Sequence, residues 1–124
     1  MDIRLLAKAE EHLGSAEMLF QNARYRDTAS RSYYAIFSAM QAYVGEPPRG
    51  KWEHPGLRGA FLRKLVEAGV PPENCRSLRK ELRFSYDARI EADYSSGEID
   101  KETAENSLCI ARKVIRLVKE VLRE

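Results

Sequence analysis

The sequence predicts an all-α protein, an up-and-down bundle of four to five helices. Three observations carry that expectation. Apolar residues recur in alternating steps of four and three through long segments at both ends and near the middle of the chain, the rhythm of a helical face. Proline stays out of those segments, and most glycines fall between them. No stretch alternates apolar and polar residues as a half-buried strand would.

The first helix is expected from Asp2 to about Ala23, with Leu6, Ala9, Leu13, Ala16, Phe20 and Ala23 on one seam. Alternating large and small residues on it allow a second helix to approach closely. A short break at residues 22–27 follows, in which Asp27 is placed to cap the next helix through its carboxylate. So short a connection makes the first two helices antiparallel neighbours.

The rest of the chain is organised around the stretch from Arg24 to Gly45. Ala29, Tyr33, Ile36, Met40 and Tyr43 form its buried seam, while Arg31, Tyr34 and Ser38 line the adjoining stripe. Those polar groups are either satisfied inside the bundle or offered to a ligand. The segment GEPPRGKWEHPG then breaks the helix. Its Trp52 is expected to fold back on the core, and its His54 precedes a proline suited to a helix start.

A short helix with Leu57, Phe61, Leu62, Leu65 and Val66 inward ends at Gly69. The next opens at Glu73 or Asn74 and runs to about Tyr94, and the last, capped by Asp100, keeps the four-three rhythm to the end. A second apolar stripe, Ile110, Val114, Leu117 and Val121, suits that last helix to cover two neighbours or a second subunit.

The helix ending at Tyr94 carries Arg89 where a core residue belongs. Two readings stand. Asp93, four residues on, can pair with Arg89 along the helix, with Tyr86 or Tyr94 completing the set. Alternatively, Arg89 and Arg31 present guanidinium forks to a phosphate or carboxylate in a polar cleft lined by Tyr34, Asp93 and Tyr94. Arg76, Arg79, Lys80 and Arg83 form a basic stripe elsewhere on the same helix, the footprint expected for nucleic-acid phosphates or simply a solvated face.

Composition narrows the function classes. The formal charge is +2, yet residues 49–89 hold ten Lys/Arg against five Asp/Glu, so the positive charge is concentrated in the middle. Two cysteines without a CxxC pair, and two histidines without zinc-ligand spacing, point to a reduced, cytoplasmic chain with neither structural metal nor cofactor. No apolar run has the length of a membrane span, and the charged start, MDIRLLAKAEE, lacks a signal-peptide core. Walker, HExxH, GxSxG and dinucleotide-binding motifs are all missing.

Three motifs occur in order: Arg-Ser-Tyr-Tyr-Ala-Ile-Phe at Arg31–Phe37, His-Pro-Gly at His54–Gly56, and Arg-Ile-Glu-Ala-Asp-Tyr at Arg89–Tyr94. Over nearly the whole chain, taken as one domain of residues 1–124, the pattern resembles the small stand-alone HEPN proteins (higher eukaryotes and prokaryotes nucleotide-binding). The resemblance implies a helical bundle, usually a homodimer, of a kind often paired with a minimal nucleotidyltransferase in a toxin–antitoxin-like system.

Many such proteins are metal-independent ribonucleases using an Arg and a His four to six residues apart. Here Arg83 is followed by FSYDAR and Arg89 by IEADY, so that motif is absent and Tyr94 sits where a histidine could stand. Tyrosine, with an ordinary pKa of about 10, is a poor base at neutral pH. The expectation is therefore a protein that binds a nucleotide, RNA or a nucleotidyltransferase partner. The alternative is a ribonuclease in which Arg89 works with a loop imidazole, His54.

Overall fold

The computed structural model describes residues 2–123 and consists of five helices: α1 (Ile3–Gln21), α2 (Tyr25–Val44), α3 (His54–Glu67), α4 (Pro72–Tyr94) and α5 (Lys101–Leu122). No strand occurs among the described residues. Helices α1, α2, α4 and α5 alternate in direction. The Asp2 amide bonds the Ala42 carbonyl at 3.2 Å, which sets the start of α1 beside the end of α2. Ion pairs Glu10–Lys119 and Glu17–Arg112 likewise run α1 against α5. Short α3 is the exception. His54 meets Tyr33 and Lys64 reaches the Tyr43 carbonyl, so α3 lies parallel to α2 after the loop carries the chain back.

Helix α2 touches all four others. Its apolar and small residues explain why: Ala29, Ala35, Ile36, Ala39 and Ala42 are wholly buried, which lets neighbours pack closely around most of the helix. The main core gathers Ile36 and Met40 with Leu57, Phe61, Leu65, Leu82, Val114 and Val118. A smaller core of Ala29, Ala88, Ala92, Ile99 and Ala104 closes the end where α4 turns into α5. Alanines there let α2, α4 and α5 approach closely.

Trp52 folds back as expected. Its Nε1–H donates to the Gly45 carbonyl at 2.7 Å and its ring packs on the core, which anchors the long loop. Gly45 itself has φ +91°, a conformation that side chains rarely adopt. Asp100 caps α5 through the Thr103 amide at 2.8 Å, and α5 covers α1, α2 and α4 with its broad apolar face.

Three local expectations are corrected. Asp27 does not cap α2: the helix starts three residues earlier than that cap would place it, behind Arg24, and the Asp27 carboxylate pairs with Arg24 at 3.2 Å. Packing of Tyr25 against Phe20, with ring centroids 5.7 Å apart, draws the extra turn into the helix. Ala23 is not a seam residue. It is exposed with φ +58°, and the chain reverses there after α1 ends at Gln21. Helix α4 also begins one residue before Glu73, at Pro72, where proline needs no amide partner.

Candidate functional site

The polar stripe of α2 faces α4, and the two helices run antiparallel, so residues near 30–34 meet residues near 86–94. Asp93 is the hub. Arg89 approaches it with Nε 3.0 Å from Oδ2, the Tyr34 hydroxyl donates to Oδ2 at 3.2 Å, and the Ser30 hydroxyl donates to Oδ1. The Arg89 Nε–H is not aimed along that 3.0 Å line, so the contact is an ion pair rather than a linear hydrogen bond. The Arg89 side chain is only 12% exposed and that of Asp93 24%.

Tyrosines enclose the guanidinium. Its carbon lies 5.5, 5.6 and 5.8 Å from the ring centroids of Tyr94, Tyr34 and Tyr33, within range of cation–π attraction. Burial disfavours the Arg89 charge, but Tyr34, Asp93 and Tyr94 outweigh it and hold the pKa above its ordinary value. Arg89 therefore stays cationic at any physiological pH.

Tyr33 continues the chain of contacts away from Arg89. Its hydroxyl sits 2.7 Å from His54 Nδ1, and Tyr86 and Phe37 pack around the imidazole at centroid distances of 5.1 Å each. Tyr33 is 3% exposed, and burial raises its pKa far above the tyrosine norm, so it remains a phenol. Its hydroxyl has no hydrogen-bond partner besides His54 among the described residues. A buried O–H must donate somewhere, so it donates to Nδ1 and the neutral imidazole keeps its proton on Nε2.

On the other side of Tyr34 lies His12, from α1, with ring centroids 6.1 Å apart. Exposed Arg31 donates to His12 Nδ1 at 3.3 Å, so the order across the face is Arg31–His12, Tyr34, Arg89–Asp93, Tyr33, His54. Both histidines titrate below their ordinary 6.5: His54 through burial, then the Arg89 and Arg58 charges, and His12 through burial, then Arg31 and Lys8, partly offset by Glu11.

The stability consequence has a definite sign. An unfolded chain takes up these protons near 6.5 and the folded chain resists them. The contribution is thus complete above 6.5 and is lost as pH falls through the depressed folded values. Melting temperatures measured on both sides of 6.5 should drop on the acid side, and His54→Gln should flatten that drop.

Of the residues singled out in the sequence, Tyr34, Arg89 and Asp93 contact one another, Tyr94 joins them through Arg89, and Arg31 sits at their edge through His12. His54 joins the same array through Tyr33. Arg76, Arg79, Lys80 and Arg83 do not: they point outward along α4, and Arg83 pairs with Asp87 at 3.2 Å. His12 and Tyr33 were missed as site residues. Tyr33 reads as an ordinary seam position, and His12 lies on another helix with nothing local to mark it. Among the described residues no group of three His, Cys, Asp or Glu is arranged to hold a metal ion, and no helix is long and apolar enough to cross a membrane.

The fold and this face define a class: a five-helix bundle whose central helix meets α4 through Tyr33, Tyr34 and Arg89, with His12 of α1 and His54 of α3 at the two edges of the array. Residues 4–121 match the HEPN domain model, and the chain belongs to the HEPN family. It is 32% identical over 120 residues to "Putative toxin MJ0605" of Methanocaldococcus jannaschii, covering 97% of this chain and 87% of that one. A second protein of that organism, "Putative toxin MJ0142", is 29% identical over 103 residues, 82% of this chain and 68% of its own length. "UPF0332 protein PH1297" of Pyrococcus horikoshii is 38% identical over 63 residues, 48% and 42% of the two chains.

Proposed function

We propose that this chain, a single HEPN domain, is the toxin-type member of a toxin–antitoxin-like pair and binds a phosphate-bearing ligand, a nucleotide or RNA, over the α2/α4 face. A minimal nucleotidyltransferase is its proposed partner. The observation that carries the reading is the Arg31–His12–Tyr34–Arg89 array, in which the His12 imidazole and the Arg89 guanidinium flank the Tyr34 ring and Arg31 stands exposed beyond His12. Arg31 supplies the fork for a phosphate, Tyr34 and Tyr94 supply faces for a base, and Arg89 adds positive potential from behind. The names of the two methanogen relatives support the toxin assignment.

Cleavage by this chain alone is not part of the reading. RNA cleavage through the 2′-hydroxyl needs a base to take one proton and an acid to give another. His54 has its Nδ1 lone pair engaged by Tyr33 and a depressed pKa, so at neutral pH it offers an Nε2–H donor and neither function. One observation favours the ribonuclease alternative all the same: His54 and Arg89 flank the same Tyr33 ring, at 5.5 and 5.8 Å.

A binding and cleavage assay on RNA, with EDTA present and across a salt series, separates the two. Binding without cleavage, with Arg31→Ala lowering the salt slope by about one unit, is the expected result. RNA cut by the wild type but intact with His54→Ala would establish the nuclease instead. Binding that Arg31→Ala and Arg89→Ala both leave unchanged would remove this face as the site.

A further inference from the structure

Helices α3 and α4 form a hairpin, joined by residues 68–71 and running antiparallel. A groove follows its outer side, lined by residues of these two helices alone. It is made of two hollows of about 420 and 520 Å³ that meet at Arg79. From Pro72 to Phe84 the groove follows α4 for about 18 Å, the length of roughly three turns of a second helix.

The groove is strongly cationic. Arg58, Arg63, Arg76, Arg79, Lys80 and Arg83 border it, against the two carboxylates of Glu67 and Asp87. Six against two is an excess of four, where the whole chain has only +2. Asp87 is already paired with Arg83, and none of the other five cations makes an ion pair among the described residues. Glu81, beside Lys80 in sequence, is drawn away to Lys113 on α5. Arg76, Arg79, Lys80 and Arg83 stand three and four apart on α4, a spacing at which like charges repel along a helix. An acidic partner relieves that repulsion.

The same groove is apolar between its charges. Val66, which its spacing sets on the inward face of α3, is instead 45% exposed at one end, and Phe84 is 38% exposed at the other. Leu62 and Cys75 lie buried at the floor. A basic face that water alone solvates has no use for such residues. Single-stranded nucleic acid calls for successive aromatic faces among the cations, and Phe84 is the only aromatic residue lining the groove. Aliphatic ground rimmed by arginines suits a helix instead, one with apolar residues at i, i+4 and i+7 and acidic residues on their flanks.

We propose that the α3/α4 groove docks an acidic amphipathic helix of a partner protein, with its apolar stripe between Val66 and Phe84 and its carboxylates on the cations of the rim. Docking there reaches the imidazole at the start of α3. Burial, then the charges of Arg89 and Arg58, hold the His54 pKa below its ordinary 6.5. A carboxylate seated on Arg58 offsets one of those charges and moves His54 back toward 6.5. The groove is separate from the α2/α4 face, so the inference holds whatever ligand that face binds.

A labelled synthetic helix of about 16 residues tests it, with leucines at i, i+4, i+7 and i+11 and glutamates on their flanks. Fluorescence anisotropy against the full chain should show saturable binding, and the amide NMR shifts it causes should fall on α3 and α4. Arg79→Glu should weaken that binding about tenfold or more, and Val66→Ser/Phe84→Ser should weaken it as well. Arg116→Glu, the same charge change on α5 outside the groove, should leave it within about twofold. With the peptide bound, His54 should titrate closer to 6.5 than without it. All substituted side chains are exposed, and circular dichroism reports whether each variant keeps its helices. Absence of binding would overturn the inference, and so would equal binding of a peptide with the same residues in scrambled order. Equal losses in Arg79→Glu and Arg116→Glu would overturn it too, since net charge alone would then attract the peptide. Single-stranded oligouridylate that displaces the peptide and shifts the same α3 and α4 amides would assign the groove to nucleic acid instead.

Discussion

Asp93→Ala is expected to cost the fold about 2–3 kcal/mol, and Asp87→Ala on the same helix about 0.5 kcal/mol or less. Both carboxylates pair with an arginine four residues away in sequence. They differ in what surrounds the pair. Arg83 and Asp87 are 65% and 60% exposed, so water can take the place of either partner. Arg89 is 12% exposed and hemmed by three tyrosines, so without Asp93 it holds a poorly hydrated charge, and Ser30 and Tyr34 lose their acceptor as well. The full penalty for orphaning a buried charge, about 3–5 kcal/mol, is reduced because Asp93 is itself 24% exposed.

Urea unfolding of the two variants gives the comparison directly. Adding Arg89→Met to Asp93→Ala should recover part of the loss, since it removes the orphaned charge and keeps the volume. Equal costs for Asp93→Ala and Asp87→Ala would mean that the tyrosine enclosure does not isolate the pair from water.

The second large effect is expected at Arg26. Its guanidinium donates to the carbonyls of Ala92, Ser95 and Gly97, the first two at 2.7 and 2.8 Å. These groups end α4 or follow it, where carbonyls lack partners within the helix and the dipole favours a cation. Removing the fork should cost about 2–3 kcal/mol, as several charge-assisted bonds are lost together while some carbonyls regain water. Arg26→Lys should restore only part of it, because an ammonium cannot span three acceptors with a planar fork. Proteolysis at the turn after Tyr94 provides the second readout, with cutting faster in Arg26→Ala than in wild type. The last turn of α4 holds Asp93 and Tyr94, so loosening it should also weaken the proposed binding of a phosphate-bearing ligand.

These two sites divide what the chain order reveals from what it conceals. The Arg89–Asp93 pair was legible because its partners are four apart on one helix, a spacing that geometry ties together. The five helices were legible for the same reason: their seams repeat locally, and glycines and prolines mark their ends. Arg26 was not, since its acceptors lie 66 to 71 residues away and are backbone carbonyls that any residue could supply. Asp27 misled because capping preference is local and weak, while the Tyr25–Phe20 contact that lengthens α2 depends on the fold. His54 was recognised as a loop imidazole that Arg89 could work with, but not its tautomer. That depends on the depth at which Tyr33 is buried, and depth is settled by how α2, α3 and α4 come together.

The position of α2 at the centre has a bearing on how the molecule comes apart. A peripheral helix can peel away and leave the remainder standing, but α2 lends a face to every neighbour. Its amide protons should therefore exchange with solvent only when the whole chain opens, whereas the end of α5 and the loop after Gly45 exchange through local fraying. Unfolding should accordingly be all-or-none, with no stable fragment lacking α2. The array of polar groups on that helix thus rests on the least yielding part of the protein, so the proposed ligand would meet a surface already in shape rather than one that must assemble around it.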